Sequence, residues 1–129
     1  MIWRGPFTNT EVNALHAKAF GHEVGDVDWW ARVHRHSLGW VCARADDALI
    51  GFVNVGWDGG AHAFLLDTMV VDELRGRGIG AELVAAAATG ARDAGCQWLH
   101  VDFEPHLRHF YLDACGFRST EAGLLRLRA

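Results

Sequence analysis

Arg75-Gly76-Arg77-Gly78-Ile79-Gly80 is the stretch on which the reading of this chain turns. It stands between an apolar run ending near Val71 and an alanine-rich run starting near Ile79, so a strand, a turn and a helix are predicted in succession. Glycine has no Cβ, and turn amides at Gly76, Gly78 and Gly80 can therefore approach a ligand closely. The first N–H groups of a helix lack intrahelical partners and carry the positive end of its dipole, which favours a phosphate there. Glycines alone make only a tight turn. With Arg75 and Arg77 beside them and a helix behind, they read as an anion cradle.

Three kinds of phosphate loop compete for that cradle. A Walker loop needs Gly-Lys-Ser/Thr, which is absent. A dinucleotide fingerprint fits Gly76-Arg77-Gly78-Ile79-Gly80-Ala81 as G-x-G-x-x-A, with Asp102 ending a later strand. That fold, however, needs its first glycine directly after the strand and several further β-α units. Here Asp72-Glu73-Leu74-Arg75 intervene, and about 25 residues follow Glu104.

Working outward, Thr8 or Asn9 caps a predicted helix from Thr10 to Phe20, which Gly21 ends. A second helix runs from Asp28 through His36, with Trp29, Trp30 and Val33 at helical spacing. Strands are predicted from Trp40 to Ala45, Leu49 to Trp57 and His62 to Val71, with Asp46-Asp47 and Asp58-Gly59-Gly60 as turns. Beyond the glycine turn come a helix from Ile79 to Ala94, a strand from Cys96 to Phe103 and a helix from His106 to Cys115 capped by Gly116. Leu124 to Leu127 supplies a last strand. The expected fold is mixed α/β in one domain over 1–129: a central sheet of about six strands, an antiparallel meander followed by a parallel strand-helix-strand crossover, and helices on both faces.

Composition narrows the function classes. Of 129 residues 50% are hydrophobic and 22% charged, the balance of a globular chain, and a net charge of −4 argues against a nucleic-acid surface. No run approaches the length of a membrane span, and the N-terminus shows no export signal. Cys42, Cys96 and Cys115 are odd in number and widely spaced, which fits a reducing cytoplasm. A monomer or homodimer without nucleic-acid or membrane partners is expected.

The glycine turn also carries a resemblance. Asp67-Thr68-Met69-Val70, four further residues and then Arg75-Gly76-Arg77-Gly78-Ile79-Gly80 resemble the acetyl-CoA motif (Q/R-x-x-G-x-G/A) of the GNAT-type N-acetyltransferase superfamily. The strand from Cys96 to Phe103 and the segment Phe110-Tyr111…Gly116-Phe117 are similar to the family's second motif. The resemblance implies that the amides of Arg75, Gly76, Arg77, Gly78, Ile79 and Gly80 hold the coenzyme pyrophosphate, and that Met69 and Val70 pair by backbone with the pantetheine arm. It further implies that Tyr111 protonates the leaving thiolate, that acetyl-CoA is the cosubstrate, and that a small-molecule or peptide amine attacks the thioester directly. Two positions depart from the pattern. Glu104 stands where many members have asparagine, and Gly116 lies five residues beyond Tyr111 instead of the commoner four. One extra residue on a helix rotates a side chain by about 100°.

Acyl transfer to an ammonium group also needs a base. Asp67 interrupts an apolar strand, where a carboxylate must be paired, solvated in a cleft or shifted in pKa, and it is the candidate. It is also readable as a structural hydrogen-bonding aspartate. His100, Asp102 and Glu104 alternate, so they line either the substrate cleft or a solvated face. His106 and His109 with Glu104 have no second ligand cluster, and no metal site is expected. Trp29 and Trp30 read as core, with an acceptor-pocket wall as the alternative. An N-acetyltransferase is the leading expectation; a non-catalytic acyl-CoA-binding or sensing domain is the alternative from another class.

Overall fold

The chain opens with β1 (Ile2–Trp3), α1 (Asn9–Phe20) and α2 (Trp29–His36), in a computed structural model that describes residues 1–129. Then come β2 (Ser37–Ala45), β3 (Ala48–Trp57), β4 (His62–Val70), α3 (Ile79–Asp93) and β5 (Trp98–His100). The five strands form one sheet in the order β1-β2-β3-β4-β5. All pairs are antiparallel except β4 with β5, which α3 joins by the expected parallel crossover.

Capping chemistry sets the helix ends. Thr8 accepts from the Glu11 N–H while the Glu11 carboxylate accepts from the Thr8 N–H, a reciprocal capping box at the start of α1. Gly21 ends that helix in the left-handed conformation. Asp28 caps α2 through the Ala31 N–H.

Alternation then sorts the strand residues onto two faces. Val41, Val53, Val55 and Leu65 meet Leu83, Val84, Ala87 and Ala91 of α3 on one side. Trp40, Cys42, Phe52 and Met69 meet Val12, Leu15, Trp29 and Val33 of α1 and α2 on the other. Each large apolar side chain so buried contributes about 1.5–3 kcal/mol, which is why helices cover both faces.

The structure differs from expectation at both ends of the sheet. β1 is an added edge strand, and its Trp3 ring fills the space over Gly39 and Gly90, where a Cβ would stand within about 2.5 Å of the ring. The strand predicted from Cys96 to Phe103 shortens to Trp98–His100, so Asp102 and Glu104 lie beyond it. Leu124 to Leu127 forms no strand; Leu124, Leu125 and Leu127 are 83 to 86% exposed, and the sheet has five strands where about six were expected. The helix predicted from His106 to Cys115 is a short 3-10 turn (Pro105–Leu107) followed by a π-helix (His109–Ala114). No helix is long and apolar enough to cross a membrane.

Candidate active site

Asp67 owes its position to a break in the β3-β4 ladder. Phe52 pairs with Met69 and Asn54 with Leu66, so Asp67 and Thr68 together stand opposite Val53. Two residues facing one is a β-bulge, and Asp67 takes its left-handed corner at φ 56°. The bulge resets the alternation. Leu65 faces the α3 side and Met69 the α1-α2 side, although regular pleating would put both on one face. Asp67 thereby reaches the face that carries Asn54, whose Nδ2 donates to Asp67 Oδ2 at 3.4 Å. Asn54 is buried and in turn accepts from Ser37 Oγ at 2.5 Å.

Thr68, turned to the opposite face, meets Tyr111. The tyrosine hydroxyl donates to Thr68 Oγ1 at 3.3 Å, and the ring is only 6% exposed. Phe103 stacks on it at 5.0 Å, while Phe110 and Phe117 present their edges at 4.8 and 5.9 Å. Burial pushes the phenol above its ordinary pKa, with the Thr68 hydrogen bond opposing, so it stays protonated at neutral pH.

The π-helix explains how Tyr111 keeps this place despite the extra residue before Gly116. The Cys115 N–H reaches back five residues to Phe110 O at 2.9 Å and the Phe117 N–H six residues to Tyr111 O at 3.0 Å. A π-turn holds one residue more than an α-turn, and the insertion is taken up there. Gly116 then reverses the chain at φ 80°.

Between the bulge and the glycine turn, β4 has an open edge. β4 and β5 pair only over His62–Trp98, Ala63–Leu99 and Phe64–His100, and the strand from Leu65 onward has no neighbour on that side. The Val71 N–H donates to Ile50 O at 2.9 Å, towards β3. Backbone groups alternate along a strand, so those of Met69 also turn to β3 while those of Thr68 and Val70 face the open edge. Of the two residues expected to pair with a ligand arm, Val70 has its backbone groups free and Met69 places its side chain in the core.

A 3-10 turn (Asp72–Leu74) separates β4 from the glycines, so the first glycine does not follow the strand directly as a dinucleotide fold requires. Gly76 and Gly78 adopt φ 81° and 83°, and nothing lies within 4 Å of a Cβ built on either. No side chain caps α3 at Gly78, and the amides of Gly76, Arg77 and Gly78 donate to no carbonyl. Gly80 serves packing instead, because a Cβ there would meet the Phe110 ring at 3.0 Å. Arg75 is tethered, pairing with Asp72 at 3.1 Å and donating to Ala19 O at 3.3 Å, whereas Arg77 is exposed.

Of the remaining candidates, Asp102 is exposed after β5 yet close enough for its carboxylate to help raise the Tyr111 pKa, Glu104 is exposed in the same segment, and His100 is bonded to His62 and stacked on Phe64. His109 pairs with Asp113 on the surface. Trp29 is core, and Trp30 is exposed and stacked on His34. Asn54 and Ser37 were not singled out from the sequence. Asn54 carried the same signal as Asp67, a polar residue within an apolar strand. His16 was also missed: burial and the adjacent His22 lower its pKa, while the Asp67 carboxylate opposes them. A surface hollow between Trp3 and α3 is lined by none of these groups.

The acetyltransferase (GNAT) family model matches residues 7–117. Among solved structures, an acetyltransferase of Trypanosoma brucei is 19% identical, with 99% of each chain covered and a TM-score of 0.78. Glucosamine-6-phosphate N-acetyltransferase of Arabidopsis thaliana is 13% identical, over 97% of this chain and 96% of that one, with a TM-score of 0.77. An aminoglycoside N-acetyltransferase in complex with CoA is 22% identical, over 95% and 91%, with a TM-score of 0.74. At such identities the likeness is one of fold. A comparison with curated proteins found no match.

Proposed function

The chain belongs to the acetyltransferase (GNAT) family, and on that premise we propose that it moves an acetyl group from acetyl-CoA to the primary amine of a small-molecule or peptide acceptor. The observation that carries this reading is that one bulged strand links an anion cradle at its end to a carboxylate and a protonated phenol at its middle. The fit to the coenzyme rests on the unbonded amides of Gly76, Arg77 and Gly78 and on the uncapped start of α3, with Arg75, Ile79 and Gly80 framing them. The free backbone groups of Thr68 and Val70 offer the pantetheine amides a strand to add to, with Met69 anchoring β4 from the core side.

In this scheme Asp67 removes a proton from the acceptor ammonium, and Asn54, held by Ser37, orients the carboxylate. The neutral amine nitrogen bonds to the thioester carbonyl carbon, the carbon–sulfur bond breaks, and the nitrogen gives up its second proton as the amide forms, which returns Tyr111 to the neutral phenol. Tyr111 gives its proton to the departing sulfur, for which a phenol kept neutral by burial is suited. A non-catalytic acyl-CoA-binding domain would use the cradle but would have no use for the Tyr111 hydroxyl at the bulge. Thiol release from acetyl-CoA with a panel of primary amines tests the reading. The wild-type protein releases thiol in an amine-dependent way, and Asp67→Asn slows it by roughly a hundredfold. Tight CoA binding without turnover on any amine would favour the binding-domain alternative.

A further inference from the structure

β4 and β5 continue past the catalytic bulge as a bare floor. Residues paired across strands point to the same face, so Phe64 and His100 stand side by side, with Leu66 next along β4 on the face that carries Asn54 and Asp67. Phe64 and Leu66 are 41% and 43% exposed, and α1 and α2 pack over the other end of this face, on Phe52 and Met69. His100 is held flat on Phe64, with ring centroids at 4.7 Å and planes 20° apart, and its Nε2 lies 2.7 Å from His62 Nδ1. Gly56 pairs with Phe64 and brings no side chain onto the floor.

We infer that the acceptor carries, next to its amine, an aryl or similarly flat apolar body that lies on Phe64, Leu66 and His100. This rests on the acetyltransferase reading and goes beyond it by naming the acceptor class. The floor is continuous with Asp67, so an amine at the carboxylate directs its body onto Phe64 and Leu66. A contiguous exposed apolar patch with polar groups at its end is also what a ligand groove presents.

The experiment compares four acceptors under saturating acetyl-CoA: 2-phenylethylamine, n-propylamine, spermidine and kanamycin, with kcat/KM for each. Phenylethylamine is expected to exceed propylamine by about tenfold or more, the effect of burying one ring partly, and to exceed both polycations. Phe64→Ser and His100→Ala should each reduce the phenylethylamine-to-propylamine ratio several-fold; both sites are exposed, and circular dichroism checks folding. Equal values for aryl and alkyl amines, or preference for spermidine or kanamycin, overturn the inference and leave the acetyltransferase reading standing. An unchanged ratio in Phe64→Ser accompanied by a changed sedimentation coefficient assigns the floor to a second copy of the chain and also overturns it. No thiol release with any of the four amines overturns the inference, and the same silence on a panel extended to peptide amino termini sinks the acetyltransferase reading as well.

Discussion

Tyr111 and Asp67 show how differently two candidate residues can be legible. Asp67 was visible as a carboxylate in an apolar strand, but nothing in its neighbours announces φ 56° or the bulge that turns it towards Asn54. Tyr111 was visible only through the resemblance of Phe110-Tyr111…Gly116-Phe117, since a lone tyrosine on a short helix carries no chemistry of its own. In the structure its hydroxyl donates to Thr68 inside an aromatic clamp, a placement that supports the proposed role. Tyr111→Phe keeps the clamp and removes the proton donor. Its kcat is expected to fall by roughly a hundredfold with CoA affinity nearly unchanged, because charge on sulfur develops only in the transition state. Steady-state kinetics together with calorimetric CoA binding checks this, and an unaltered kcat with chemistry shown to be rate-limiting removes Tyr111 from the mechanism.

Among elements, those with strong punctuation were read correctly and those held by tertiary contact were not. Caps at Thr8, Asp28 and Gly21 and the turn at Asp46-Asp47 fall where local chemistry places them. β1 is two residues long, too short for any period to show, and exists because Trp3 fills the gap over Gly39 and Gly90. β5 stops at His100 because the chain leaves the sheet to carry Phe103 to Tyr111. The glycine turn belongs to this scale, since it works as the start of α3. CoA at about a hundred times its Kd should stabilise the folded protein by roughly 2.7 kcal/mol, several degrees in melting temperature. Gly78→Glu should lose that gain, since its side chain puts a like charge where the pyrophosphate lies. Gly78→Ala shares the left-handed backbone cost of about 1–2 kcal/mol without the charge, so it should melt lower but keep more of the response. An undiminished CoA shift in Gly78→Glu would show that the turn is not the cradle.

For the molecule as a whole, one ion pair ties the helical layer to the sheet. Arg44 of β2 donates to both Glu11 carboxylate oxygens, at 2.7 and 2.9 Å, and to Pro6 O and Asp47 O. The Arg44 guanidinium, ahead of the opposing effect of burial, holds Glu11 down at about 2. A carboxyl whose folded value is depressed stabilises the fold above its unfolded pKa, and this is lost as pH falls from about 4.5 towards 2. Glu11→Gln can keep the capping box while removing the charge, so it should cost about 1 kcal/mol at pH 7 and much less near pH 3. Urea unfolding at both pH values measures this, and an equal penalty at each would mean that the charge is not the stabilising part.

A residue inserted into a strand turns every following side chain to the other face unless a bulge absorbs it. The surplus residue between Tyr111 and Gly116 is absorbed within one wide helical turn, and Phe117 still closes on the Tyr111 ring. The segment that carries Tyr111 thus takes up a change of length in one helical turn, as β4 takes one up in the Asp67-Thr68 bulge.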